Sequence, residues 1–365
     1  MNTRRAFTLV EILTVIVIIS ILVALVTLAV AGAMRSAKRA RIGVEMSQIV
    51  AALELYKGEF GEYPPDMFDD EALVRHVKKR WPRLDWANLE NLPIANFNQH
   101  GHNPLSSLTG LEREAWLIRN AVSIAYGPVR YRKDSQLYDV DYNDWLYKNI
   151  SMHLPEVLYS KQGTLTLWLG GFPNVDGKLS GFFADPENPF TRTNAFDGKN
   201  FLNLEIGENK RARFVVFEIW DVRYSYTDPI TQEVTWIPET LKYTYAIPIL
   251  GNEVGGDFVS YAYYKGRTDG GDGAYKVGGT IKTIAGPYAR SLNSWGAPYA
   301  ESRSGAGIKW CNPTTYQLIH PGLDGKFGDR DIAERFIGTG EGIGPQDLDN
   351  LTNFSDYKEL KSILP

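Results

Sequence analysis

Between Ile12 and Met34 the chain runs for 23 residues, ILTVIVIISILVALVTLAVAGAM, without a charge, a proline or an amide side chain. As a helix rising 1.5 Å per residue, that stretch covers ~35 Å, enough to cross a hydrocarbon core of ~30 Å. It is a membrane-helix candidate. A cleaved secretory signal is the alternative, with Arg4 and Arg5 as the basic region and Ala29-Val30-Ala31 as a small-x-small cleavage site. Against it, the apolar regions of such signals run ~7 to 15 residues, and this one is longer and carries Glu11 at its mouth.

The chain as a whole has ordinary globular usage, 44% hydrophobic and 22% charged, so it can bury a core. A formal charge of -4 over 365 residues excludes a strongly basic nucleic-acid binder. With one cysteine, Cys311, no intrachain disulfide can form, and an extracytoplasmic part must be held by packing or by a metal.

Glu11 lies between Phe7-Thr8-Leu9-Val10 and Ile12-Leu13, where an ionised carboxylate is costly unless paired. A snorkelling acid at the membrane edge is one reading. The string Arg4-Arg5-Ala6-Phe7-Thr8-Leu9-Val10-Glu11 supplies another, because it resembles the processing site of type IV pilins and type II secretion pseudopilins. The resemblance implies that a prepilin peptidase cuts between Ala6 and Phe7 and that Phe7 becomes the N-methylated mature N-terminus. It also implies that Glu11, then the fifth residue, pairs with the N-terminal amine of a neighbouring subunit. An ammonium and a carboxylate excluded from water attract strongly. The family usually has Gly before the cut; Ala6 is the nearest small substitute, and slower processing is expected. The apolar stretch also lacks the proline that kinks many members, which implies a straighter rod. A bare Lys/Arg count, with Arg35, Lys38, Arg39 and Arg41 after the span, places the C-terminal side in the cytoplasm. The resemblance implies the opposite: a single pass of the inner (cytoplasmic) membrane, with the leader inside and the head outside.

Beyond the span, Ile42, Met46, Ile49, Leu53, Tyr56 and Phe60 recur at steps of four and three, which predicts one buried helical stripe. Arg41, Glu45, Ser47, Gln48, Glu54 and Lys57 fill the polar positions. Gly58, Gly61 and Tyr63-Pro64-Pro65 end the helix. The expected division is a leader at 1–6, an assembly helix at 7–34, its amphipathic continuation at 35–63, a helical insertion at 64–160 and a β-rich head at 161–365. In the insertion, helices are expected over Asp70 to Lys79 and Leu111 to Ala125; Thr164 to Leu169 is a strand or a buried helix edge. Strands are expected over Arg213 to Val222, Lys242 to Ile249 and Asp257 to Tyr264. The expected fold class is α+β, a long N-terminal helix packed on an antiparallel sheet.

Trp295-Gly296-Ala297-Pro298-Tyr299 resembles the Trp-Gly-x-Pro-Tyr stretch on a sheet strand of major pseudopilins. Tyr316 to Gly328 resembles their last strand running into a Gly-Asp-Gly calcium loop. Asp324, Asp329 and Asp331, with Glu334 as a fourth acid, stand beside Gly322, Gly325 and Gly328, and calcium takes six to eight hard oxygens. The alternative is a solvated acidic loop relieved by Lys326, Arg330 and Arg335. Asp269 and Asp272 fit turn chemistry before calcium.

Catalytic patterns are absent: the five histidines form no His-Glu-x-x-His helix, His100-Gly101-His102 lacks a third ligand, and there is no nucleophile elbow or phosphate loop. The expected protein is a non-enzymatic pilin-like subunit of a type II secretion pseudopilus. Its partners would be a prepilin peptidase, identical or related pilin-like subunits and an inner-membrane assembly platform, without nucleic acid. The alternatives are a type IV pilus or competence minor pilin with a binding head, and a membrane-tethered hydrolase or carbohydrate-binding protein.

Overall fold

The structure is a computed structural model that describes residues 9–65, 67, 69–92, 108–126, 130–133, 136–139, 163–174, 176, 178–204, 212–219, 224–227, 234–237, 242–254, 257–266, 297–305, 307–328 and 335–365. One helix, α1 (Leu9–Phe60), joins the apolar span to the head over 52 residues, ~78 Å at helical rise. Its apolar half is exposed along its length, and burial begins at Ile42 and continues through Met46, Ile49, Leu53 and Tyr56 as the expected stripe, with Phe60 half-buried. Gly61 ends it in the left-handed region at φ 77°, its N–H bonding Lys57 O at 2.7 Å, as glycine alone does without strain.

Among the described residues four shorter α-helices follow: α2 (Asp70–Arg80), α3 (Trp86–Asn91), α4 (Gly110–Ala125) and α5 (Gly163–Gly170). Asp69 caps α2 by accepting from Ala72 N, and Asp85 caps α3 by accepting from Asn88 N, each at 3.2 Å, satisfying donors that a helix start leaves open. The helices expected at Asp70 and Leu111 are α2 and α4. The ambiguous stretch Thr164 to Leu169 is helix α5; all of its residues are buried, and a segment enclosed on every side has no polar face to set a period.

The described residues also form thirteen strands: β1 (Arg130–Lys133), β2 (Gln136–Asp139), β3 (Ala212–Ile219), β4 (Tyr224–Thr227), β5 (Val234–Ile237), β6 (Lys242–Val254), β7 (Asp257–Ser260), β8 (Ala262–Lys265), β9 (Tyr299–Ser304), β10 (Gly307–Trp310), β11 (Tyr316–His320), β12 (Arg335–Phe336) and β13 (Leu351–Thr352). The largest sheet runs β2-β1-β6-β3, with β7 on the far end of β6. β6 and β3 pair antiparallel from Ala212 opposite Leu250 to Ile219 opposite Tyr243. The expected strand at Asp257 to Tyr264 is two strands, because the chain leaves β6 after β7 and joins β11 as β8. Strand β11 is central rather than last: β13 and β8 flank it, and β12 lies parallel to β9 in a separate small sheet. The supposed insertion supplies two strands to the main sheet, β1 and β2. Both are short and largely charged or polar, which hides a period-2 signal.

The principal core gathers the α1 stripe, Leu73 and Val77 of α2, Leu117 and Ile118 of α4, α5, and the rings Phe172, Phe182 and Phe190. A smaller core of Tyr299, Trp310, Cys311, Ile319, Phe327 and Phe336 underlies the C-terminal segment.

Candidate assembly and anchoring site

The apolar half of α1 is built to do without water. Thr14, Ser20 and Thr27 each return their hydroxyl to the carbonyl four residues back, Val10, Ile16 and Val23, at 2.7–2.8 Å. No hydroxyl of these three then requires a solvent partner. Leu9 to Met34 present their large apolar side chains outward. Glu11 lies exposed in the first turn of α1, where the helix dipole favours a negative charge. Ala6 and Phe7 lie outside the described residues.

Above the span, Glu45 departs from expectation: it is buried, not outward-facing. Its carboxylate accepts from Asn252 Nδ2 at 2.8 Å and Tyr261 OH at 3.1 Å, and from Arg41 Nε at 3.0 Å. The chain of bonds continues inward. Gly322 N donates to His320 Nδ1 at 3.1 Å, which leaves Nε2 as the protonated nitrogen facing Asn252 Oδ1 at 2.9 Å. Complete burial pushes His320 down to about 3, so the ring is neutral. This network fixes α1 against β6 and β11, because sliding the helix by one turn strands each buried donor.

A second buried network seats the top of α1 on α2. His76 lies between Tyr56 OH at 2.7 Å and Glu62 Oε1 at 2.9 Å, and Arg80 donates to Tyr56 OH at 3.2 Å and to Asp197 at 3.3 Å. Arg80 also stacks over Phe60 and Phe182 at 4.2 and 4.3 Å, a placement suited to guanidinium. Burial lowers His76 against the pull of Glu62, and it drives the Tyr56 phenol far above its ordinary value.

Part of the C-terminal acidic region, residues 321–328 and 335–365, lies within the described residues. After β11 the chain turns at Gly322, φ 66°, where a Cβ would meet Asp349 O at 2.3 Å and its carboxyl carbon at 2.4 Å. The turn's own amides, Leu323 N at 2.7 Å and Asp324 N at 3.1 Å, hold the Asp349 carboxylate. Asp324 is exposed, with Oδ1 accepting from Lys326 N at 2.8 Å. Burial of its inner edge, with Asp349 and Asp347 close by, raises its carboxyl despite the Lys326 amide and ammonium. Asp329, Asp331 and Glu334 lie outside the described residues, as do Asp269, Asp272, His100, His102, His153, Trp295 and Gly296. Among the described residues no group of three or more His, Cys, Asp and Glu converges to hold a metal.

Three residues that sequence reasoning missed hold this region together. Asp347 pairs with Arg335 at 3.2 Å with both side chains fully buried, and it accepts from Tyr299 OH at 2.7 Å. Asn350 donates to Tyr299 OH and to Phe327 O, each at 2.8 Å. Asp349 fills the turn. The excess of acids over bases after Pro321 was the available signal, since a buried base among acids must be paired.

Comparison with known proteins adds one finding. Residues 1–27 match the family model described as the prokaryotic N-terminal methylation motif, while no curated protein and no solved structure matches the chain. That motif implies processing by a prepilin peptidase and assembly with other pilin-like subunits, and the apolar helix it opens is a membrane-anchor segment. The N-terminal segment thus carries the motif that marks type IV pilin-like proteins, and an α+β head follows it.

Proposed function

We propose that this protein is a non-catalytic structural subunit of a type II secretion pseudopilus. The observation that carries the reading is the methylation motif at residues 1–27, opening directly into a helix whose apolar half is unburied by its own head. A helix of that kind needs another apolar surround, first lipid and then neighbouring copies. In this reading the peptidase removes residues 1–6, Phe7 is methylated, and the head lies outside the cytoplasm. The subunit enters the filament from an inner-membrane platform. Glu11 neutralises the Phe7 amine of an adjacent copy, an ion pair that both partners require once water is excluded. The choice of pseudopilus over pilus is supported by the resemblance of Trp295 to Tyr299 and Tyr316 to Gly328 to major pseudopilins.

Mass spectrometry of the mature protein tests the processing: an N-methyl-Phe7 start is expected, and a start at Gly32 would overturn it. Glu11→Gln tests the assembly. Loss of filaments with membrane retention intact is expected; filament growth at the wild-type rate refutes the pairing. Deletion that abolishes protein export while sparing surface pili supports the pseudopilus, and the reverse outcome assigns the subunit to a pilus.

A further inference from the structure

Between Glu11 and Glu45 the chain has no acid, yet Arg35, Lys38, Arg39 and Arg41 follow Met34 within seven residues. At 1.5 Å per residue the first three stand ~2, 6 and 8 Å beyond the end of the apolar run. The headgroup layer outside a 30 Å hydrocarbon core is ~5–8 Å deep on each side, so these cations lie at the depth of lipid phosphates. The fold brings more charge beside Arg39 and the turn above it. The C-terminal segment packs against α1 there, through the Arg39–Glu359 ion pair and the contact of Tyr357 with Gly43. Between them lies an open groove of about 570 Å³, bordered by Arg39, Gly43 and Val44 on one side and by Tyr357, Lys358 and Glu359 on the other.

Not all of this charge is spent internally. Glu359 serves both Arg39 and Lys361, and Glu45 serves Arg41. Arg35, Lys38 and Lys358 are exposed and have no ion-pair partner among the described residues. They come from two ends of the chain, and the fold places them around one helix just above its lipid span. An exposed ammonium or guanidinium at headgroup depth has one abundant counter-charge, a lipid phosphate.

We propose that the base of the head is a docking surface for anionic phospholipid, with Arg35, Lys38 and Lys358 contacting headgroup phosphates of the leaflet that the helix leaves. The inference rests on the reading of α1 as a membrane anchor and on nothing about filament type. It applies to either orientation of the span. It gives the unassembled subunit a fixed depth and a preferred lipid surround before polymerisation removes it.

The test uses the full chain in non-ionic detergent, offered equimolar phosphatidylglycerol and phosphatidylcholine, with bound lipid read by native mass spectrometry. Each cation at the surface strengthens anionic binding about fivefold, so phosphatidylglycerol adducts should exceed phosphatidylcholine adducts by at least tenfold. In Arg35→Gln/Lys38→Gln/Lys358→Gln the ratio should fall to within about twofold, and Arg35→Lys should keep most of it. Equal adducts on the wild type, an undiminished ratio in the triple variant, or complete displacement by millimolar inorganic phosphate would each overturn the proposal, the last by revealing a free-anion site. Carbonate extraction of membranes reads the anchor separately. Release of the wild-type chain there sinks the anchor reading and the proposal together, whereas retention without lipid preference sinks the proposal alone.

Discussion

Glu45 occupies a position that is polar by type and apolar by place. Its neighbours on the stripe are Ile42, Met46 and Ile49, and its carboxylate is surrounded by three donors from α1, β6 and the residue after β7. Glu45→Ala removes the carboxylate to which buried Asn252 and Tyr261 donate, and it should destabilise the protein by ~2–4 kcal/mol. Glu45→Gln keeps the volume but turns an N–H toward existing donors, and it should cost about half as much. Thermal unfolding of the detergent-solubilised chain measures both; equal and negligible shifts would show that the network contributes nothing to stability. His320, two bonds further along, makes the same network pH-sensitive. Its folded value is near 3 while the unfolded ring titrates near 6.5, so below pH 6.5 the unfolded chain binds the additional proton. Stability from this group is therefore complete above 6.5 and declines as pH falls toward 3, by ~1.4 kcal/mol per unit for one proton. His76 is shifted the same way by burial. Melting temperatures between pH 7.5 and 5 should fall accordingly, and His320→Asn should remove one proton from the slope.

At the scale of elements, the helices legible in the sequence are those whose burial is one-sided. The α1 stripe, α2 and α4 each have a wet face and a dry one, and that alternation is what a period detects; the strands at Arg213, Lys242 and Asp257 are legible instead through their Val, Ile, Phe and Tyr content. Helix α5 has no wet face, and the β1–β2 pair has too little apolar content; both were obscure for that reason. Glu45 was misplaced because a polar residue on a seam takes its burial from residues such as Asn252, 207 positions away. The acidic C-terminal turn was legible as a glycine-bent loop, but not in its partner, since Asp349 closes the Gly322 turn from 26 residues downstream of Leu323. That closure separates two glycines of similar conformation. Gly198 has φ 72° with open space where a Cβ would be, and Gly322 has φ 66° with Asp349 against it. Gly198→Ala should cost ~1–2 kcal/mol for the left-handed backbone alone. Gly322→Ala should cost ~3 kcal/mol or more, because the added carbon also displaces a carboxylate from its amides. Urea unfolding of the two variants, compared at equal slope, decides the point; equal losses would mean that Asp349 moves away freely.

At the scale of the whole molecule, one continuous helix serves two solvents, and the head must keep its shape without a disulfide. Buried polar networks at the seam and under the C-terminus take that part, and the second of them bears on the calcium proposal. Arg335 neutralises Asp347 in the interior and the Gly322 turn's amides hold Asp349, so these two acids are satisfied without a metal. Asp324 is different: partial burial raises its carboxyl, Asp349 and Asp347 add to the rise, and it faces outward, where a divalent cation would relieve the repulsion from those acids. Calcium at Asp324, Asp329 and Asp331 is thus proposed as an addition to a region already pinned from inside, not as its sole fastening. A ligand at about 100 times its dissociation constant adds ~2.7 kcal/mol, and for a chain of this size that raises the melting temperature by ~3–4 °C. Millimolar calcium should give a rise of that order in the full chain, magnesium should give little, and Asp324→Asn/Asp331→Asn should abolish it. Because Arg335 and Asp347 remain paired throughout, chelator should lower the melting temperature without unfolding the head at 25 °C. A melting temperature indifferent to both calcium and chelator would leave the inner ion pair and the Asp349 turn as the whole explanation of the acidic tail.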